Sequence, residues 1–310
     1  MLTRRKFFIG LGAVVASGLS SISYAFGIEP FRMRVKRHAV TPAGWKDGPR
    51  LRVALIADLH ACEPWMNLER VAYVVETANA LKPDITLLLG DYEARHKYVR
   101  ALVPAKSWAA ALARLEAPLG VHAILGNHDW WDDRQAQVRG KGPVFGRRAL
   151  EAAGIPVYEN DVVRLQKDGR PFWLAGLADQ IALAPKGVRD RRRFIGLDDL
   201  AGTLAKVTDD APVLLMAHEP DIFPRVPARV ALTVSGHTHG GQLRMLGYSP
   251  VVPSRYGNRY AYGHIAEQRE GDAAARHLVV SGGLGCSIIP MRLGVPPEIV
   301  LLDLAPTPTS

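Results

Sequence analysis

Short apolar runs alternate along the chain with segments whose apolar side chains recur every three or four residues. Leu51 to Ala57 is a run of the first kind, as expected of a strand covered on both faces. The next segment places Leu68, Val71, Ala72, Val74, Val75, Ala78 and Leu81 at helical spacing, with Asn67 as a candidate N-cap and Pro83 as the stop. Asp84 to Asp91 predicts a second buried strand, Ala105 to Glu116 a helix, and the stretch GVHAILGNHD a third strand. Beyond Asp129 the pattern predicts helices near Val144 to Ala153 and Leu197 to Val207. It also predicts strands near Val162 to Gln166, Phe172 to Leu177, Val213 to Ala217, Val230 to Val234, Leu278 to Ser281 and Glu298 to Leu302. The first half alternates strand and helix and the second half is richer in strand, which predicts a layered α/β domain whose sheet is at least partly parallel.

Polar residues gather where these strands end. The first finishes in Asp58-Leu59-His60, the second in Gly90-Asp91, the third in Gly126-Asn127-His128-Asp129. A later one finishes in Ala217-His218-Glu219, and the next in Gly236-His237-Thr238-His239-Gly240-Gly241. The carboxyl ends of strands in an open α/β sheet share one rim, where ligands bind, so these five ends are expected to converge. Any one of them alone reads as a turn or a helix cap. His122, inside an apolar run, reads as a hydrogen-bonded core residue. In an extended stretch residues i and i+2 share a face, so His237 and His239 are expected to point together with Thr238 turned away. Gly240 and Gly241 would then allow a sharp turn.

The series D-x-H, G-D, G-N-H-D, a lone His and G-H-x-H resembles the calcineurin-like metallophosphoesterases over roughly Arg50 to Leu302. The wording GNHDWW, GHTHGGQ and SGGLGCSIIPMRLGVPPEIVLLDL is similar to a bacterial branch that is often exported or membrane-attached. The resemblance implies an α/β sandwich of four layers (αββα), with two mixed β-sheets flanked by helices. It implies two divalent ions, manganese, iron or zinc, which suit carboxylate, imidazole and amide ligands. Asp58, His60 and His239 would bind one ion, Asn127, His218 and His237 the other, and Asp91 would bridge. Such a pair, about 3.5–4 Å apart, binds phosphate oxygens and ionises a water. A hydroxide between the ions would then attack phosphorus in line. His128 would stabilise the phosphoryl oxygens or protonate the leaving group, and Asp129 would hold its ring or else cap a helix. Gln242 is expected behind the ligands as a hydrogen-bond donor.

Composition changes this picture little. The 310 residues and their apolar share suit one large core, taken as residues 50–304 after an extension over 28–49, with a tail from 305. The net charge of +9 suits anionic partners such as phosphate esters or a cell-envelope or membrane surface, but no nucleic-acid module is legible. The run from Arg189 to Phe194 reads as solvated. Cys62 and Cys286 form no Cys-x-x-Cys, which excludes a thiolate zinc cluster; two free thiols are expected, with a single bridge open if the chain is exported. The head Thr3-Arg4-Arg5-Lys6-Phe7-Phe8 and the uncharged residues 7–28 resemble a twin-arginine export signal over 1–27, with Ser23-Tyr24-Ala25 as a cleavage point. The alternative is an uncleaved anchor, since roughly 20 apolar residues span a bilayer. Either way the protein is expected outside the cytoplasm.

The ester is left open. Trp130, Trp131, Arg244, Arg255, Tyr256 and Arg292 are candidates for the pocket wall, with Arg244, Arg292 and Trp130 foremost. Phosphodiesters, cell-wall phosphate polymers and a nucleotide-linked lipid such as an acylated sugar-UDP pyrophosphate all fit. Two other classes remain: a non-catalytic, metal-dependent envelope-binding protein, and a metal-storage or redox protein holding an iron pair.

Overall fold

A computed structural model of the chain describes residues 3–188, 190 and 193–306. In chain order the helices are α1 (Arg4–Gly27), α2 (Leu68–Ala80), α3 (Ala105–Leu112), α4 (Asn127–Trp131), α5 (Arg134–Arg139), α6 (Phe145–Ala152) and α7 (Leu200–Ala205). The strands are β1 (Arg34–Val40), β2 (Leu51–Ile56), β3 (Cys62–Glu63), β4 (Ile85–Leu88), β5 (Ala101–Leu102), β6 (Val121–Ala123) and β7 (Asp161–Lys167). They continue with β8 (Arg170–Gly176), β9 (Val213–Met216), β10 (Val230–Ser235), β11 (Gly263–Glu267), β12 (Arg276–Val280) and β13 (Glu298–Leu304).

Two mixed sheets lie face to face between helices. One has the order β1-β13-β2-β4-β6 and the other β11-β12-β10-β9-β8-β7, while β3 and β5 form a small ribbon. Strands β2, β4 and β6 run parallel, as do β8, β9, β10 and β12. Their inner faces meet through Val53, Leu55, Leu87, Leu214, Met216, Leu232 and Val300, all buried. Outside the first sheet, α2, α3 and α6 pack Val71, Val74, Trp108 and Leu150 onto Ile56 and Leu88. This is the expected four-layer α/β architecture, and each apolar run named above forms a strand within it.

The helix at 68–80 is capped as expected, Asn67 Oδ1 accepting from Arg70 N at 3.0 Å. His122 is the core residue it was read as, its ring bonded to Tyr158 Oη at 2.9 Å and to Leu119 O at 2.8 Å. The segment 28–49 is built into the fold: β1 pairs in parallel with β13 along its whole length, and Trp45 is buried against Phe172. The strand escapes sequence reading because its side chains are mostly polar and it joins the sheet at an edge, where Val40 is its one fully buried side chain.

Helix α1 covers most of the uncharged leader. No helix among the described residues is long and apolar enough to cross a membrane. The root of α1 is fixed: Ala25 is buried and its carbonyl accepts from Arg292 N at 3.0 Å. Cys62 and Cys286 are free, buried thiols. Arg189, Arg191 and Arg192 of the basic run and residues 307–310 of the tail lie outside the described residues.

Candidate metal centre

The five strand ends do converge. Beyond β2, β4, β6, β9 and β10 the chain turns at once, and Asp58, His60, Asp91, Asn127, His218, His237 and His239 are all buried at one rim. Five of these seven have left-handed backbone: Asp58 (φ 51°), His60 (47°), Asp91 (58°), His237 (68°) and His239 (51°). Non-glycine residues seldom adopt it, and each instance costs of the order of 1–3 kcal/mol. The pair His237 and His239 therefore does not converge by strand alternation as its spacing suggested. A left-handed turn brings the two rings in, while Thr238 points away and donates to Ala261 O at 2.6 Å. Gly126 is required by close approach, since a Cβ there would run into Asp91 and His218.

The side chains fall into two adjoining groups, Asp58 with His60 and His239, and Asp91 with His218 and His237. The nitrogens His60 Nε2 and His239 Nε2 lie 3.1 Å apart, and His239 Nε2 is 3.6 Å from Asp58 Oδ1. Asp91 Oδ2 lies 3.6 Å from His60 Nε2 and 3.3 Å from His218 Nε2, so this one oxygen reaches both groups. Asn127 Oδ1 faces His237 Nδ1 at 2.7 Å. His60 Nδ1–H donates to Glu93 O at 3.1 Å and His218 Nδ1–H to Leu89 O at 2.6 Å, which turns each Nε2 lone pair inward. Burial pushes the His60 imidazole down to about 3 and holds His239 well below its ordinary range, so both rings are the neutral donors a cation needs. Burial raises Asp58 to about 7. It also opposes ionisation of Asp91, but His218 and His128 outweigh it and hold that carboxyl well below the usual range. Packing acid and imidazole together this densely, away from water, fits a divalent cation as the missing partner.

A profile of the family "Calcineurin-like phosphoesterase" matches residues 51–241, which include all seven of these residues. The chain belongs to the calcineurin-like phosphoesterases. It is 29% identical to the uncharacterized metallophosphoesterase YkuE of Bacillus subtilis, over 99% of both chains. It is 28% identical to the phosphodiesterase YaeI of Escherichia coli, over 98% of this chain and all of that one. A metallophosphoesterase of Aquifex aeolicus shares 28% identity over 89% of this chain and 94% of its own. The rim is therefore the candidate metal site of a chain in a phosphoesterase family.

The site opens into a cavity of about 270 Å³ lined by Asp91, Asn127, His128, His237 and His239, with apolar walls from Leu243, Val251, Ile288 and Ile289. A cleft of about 590 Å³ adjoins it past His237 and is bordered by Arg255 and Tyr256. The His128 ring lies 5.0 Å from that of His60, with Nε2 3.2 Å from Ser287 Oγ and Nδ1 3.8 Å from Asp132 Oδ2. Of the two tasks expected of Asp129, the structure shows the helix cap and no bond to the His128 ring among its hydrogen bonds. The Asp129 oxygens accept the backbone N–H groups of Gly126 (2.8 Å), Asp91 (2.9 Å) and Tyr92 (3.0 Å), so the residue braces two rim loops and caps α4.

Three wall residues are also corrected. Arg292 is fully buried, donating to the carbonyls of Gly282 (2.8 Å), Gly285 (3.0 Å from Nε) and Val295 (3.0 Å), with Nη2 3.3 Å from His239 Nδ1. It shapes the rim from behind. Trp130 is buried in the helical layer, and its neighbour Trp131 meets the His128 ring instead, at 5.3 Å. Arg244 lies over the Tyr262 ring and borders neither cavity among the described residues. Gln242 lines the cavity instead of backing a ligand, its amide donating to Ile289 O at 3.0 Å and accepting from Ser287 N at 2.8 Å.

Sequence reasoning missed Asp179 and gave Glu219 no role; both are buried beside His218 and form a further acidic group with it. Glu219 Oε2 accepts from Gln180 N at 3.1 Å, and Oε1 stands 4.0 Å from His237 Nδ1. Burial and the neighbouring Glu219 hold Asp179 well above the carboxylate range. The signal was present, since Asp179 follows the apolar end of β8 as Asp58 follows β2.

Proposed function

We propose that the protein is a phosphodiesterase working through two divalent ions. The observation that carries this reading is the pair of adjoining Asp/His groups with one Asp91 oxygen between them. Asp58, His60 and His239 would hold one ion, and Asn127, His218 and His237 the other. When bound, the ions bind the ester oxygens and supply an ionised water as nucleophile. His128 lines the same cavity within reach of His60 and Asp91, and the reading keeps it off both ions as the group in place to hand a proton to the departing oxygen. Asp132 and Ser287 orient its ring. A preference for diesters is supported by the name of the relative YaeI and by the cleft beside His237, which leaves room for a second ester arm. The paired arginines and uncharged leader support export to the cell envelope.

The test is turnover of bis(p-nitrophenyl) phosphate by the full chain, stripped with chelator and reloaded with manganese, iron or zinc. Release of p-nitrophenolate only after reloading, with two ions per chain by elemental analysis, is expected. A fully loaded protein that leaves the diester intact ends the reading.

A further inference from the structure

The turn Met245-Leu246-Gly247-Tyr248 is closed by two backbone bonds between Met245 and Tyr248, 2.8 and 2.9 Å. Leu246 (φ 51°) and Gly247 (φ 82°) both have left-handed backbone, the conformation of a two-residue hairpin tip. Such a tip favours Asn or Asp before Gly. Here a leucine occupies it at 106% relative exposure, with Met245 and Tyr248 exposed on either side. The apolar surface continues inward. Val251 and Ile288 are exposed as well, and both line the 270 Å³ cavity over the metal ligands. The base of the finger is joined to the Ile288 loop by Arg244 N donating to Leu293 O at 2.7 Å, and the same loop holds the root of α1 through Arg292 N.

Charge selects the occupant. Between Asp221 and Glu267 the chain has no carboxylate side chain and five arginines, and no carboxylate occurs between Asp272 and Glu298, the segment that carries Ile288. Arg225 is paired with Asp198 (2.6 Å) and Arg259 with Glu267 (2.8 Å), and Arg229 donates to the carbonyls of Asp209 and Ala211, which leaves Arg244 and Arg255, on either side of the finger, as its cationic flank. A second copy docked finger to finger would bring like charge against like. An anionic lipid surface accepts the apolar tip and balances these two arginines together.

We propose that this finger docks the mouth of the site onto an anionic bilayer, so that the ester cleaved is one held at a lipid surface. The substrate part of this proposal rests on the phosphodiesterase reading. The docking part does not.

Full-length protein and the variant Met245→Ser/Leu246→Asn, both retaining α1, are floated with phosphatidylcholine vesicles with and without phosphatidylglycerol. Asn suits the left-handed tip, so the variant keeps the turn. Wild type is expected to partition onto the phosphatidylglycerol vesicles and the variant to partition about tenfold less. Turnover of a long-chain alkyl p-nitrophenyl phosphate carried in those vesicles is expected to fall by about the same factor, with turnover of soluble bis(p-nitrophenyl) phosphate unchanged. Equal partitioning of the two proteins overturns the docking. So does a variant that binds lipid like wild type but turns a dimer into a monomer, since the finger then meets a second copy. Finger-dependent partitioning without turnover of either ester upholds the docking and overturns the phosphodiesterase reading.

Discussion

Left-handed backbone recurs along the chain, and at two places, the metal rim and the finger, the side chains it carries are opposite in kind. At the metal rim Asp58, His60, Asp91, His237 and His239 are buried and polar, and their strain is tied down by specific bonds. His237 N donates to Asp58 Oδ1 at 2.9 Å, His60 N to Asp91 O at 3.0 Å, and Asp91 N to Asp129 Oδ2 at 2.9 Å. At the finger, Leu246 has the same kind of φ with its side chain wholly in solvent. The rim uses unusual backbone to aim donor atoms, and the surrounding bonds compensate within the fold. The finger uses it to present an apolar group, and nothing inside the fold compensates. Strain of the first kind points to a ligand held inside the protein, and strain of the second kind to a partner outside it.

The comparison is broken most forcefully at Asp91. Asp91→Asn keeps the size of the side chain but removes the charge shared by the two groups. It is expected to lower bound metal, measured by elemental analysis, and to reduce diester turnover by about 10³-fold or more, in proportion to the lost ion. An active variant with full metal content contradicts the bridging role. His128→Ala tests the neighbour to which the proposed reading assigns no ion. Turnover is expected to fall by about 10²–10⁴-fold with metal content intact, and a leaving group of low pKa should recover part of the loss.

Metal-stripped protein should reveal the cost of the buried acids. Burial raises both Asp58 and Asp129 to about 7, so the folded chain keeps protons that the unfolded chain has already released. Stability from these groups is therefore lost as pH rises toward and through 7. Burial pulls the His218 imidazole down, but Asp91, Glu219 and Asp58 outweigh it and hold it well above its range, which adds a loss of the same sign. His60 and His239, held low, act in the opposite sense only below the ordinary imidazole range. From about pH 6.5 to about pH 8 stripped protein is expected to lose about 1–2 kcal/mol, or roughly 2–8 °C in Tm, and added divalent ion should close the gap. A stripped protein whose Tm rises over that interval reverses the sign. The smallest effect belongs to the finger. Leu246→Asn alone should raise Tm by a degree or two, because Asn tolerates left-handed φ and the leucine packs on nothing; a fall in Tm would mean that its side chain is held within the fold.

How much of this was legible follows from burial. Strands covered on both faces must be apolar throughout, so β2, β4, β9 and β10 stood out, and six of the seven candidate ligands, all but Asn127, stood out because each lies within four residues of the end of such a strand. Strands β1 and β11 escaped because edge strands bury little and alternate with polar residues. Helices α4 and α5, of five and six residues, are too short to show a period. Roles that depend on where a side chain points were the least legible. Asp129 and Arg292 are polar residues beside conspicuous motifs, and both turn inward to bind backbone groups that only the folded chain brings within reach.

The bond between Arg292 N and Ala25 O has a bearing on maturation. Ala25 is buried and its carbonyl is engaged. If the chain is cut after this residue, the peptide has to be levered away from the folded body before a protease can grip it. Such a cut would also take away the acceptor of Arg292 N, on the loop whose Ile288 and Ile289 wall the cavity, so trimming would loosen one side of the doorway.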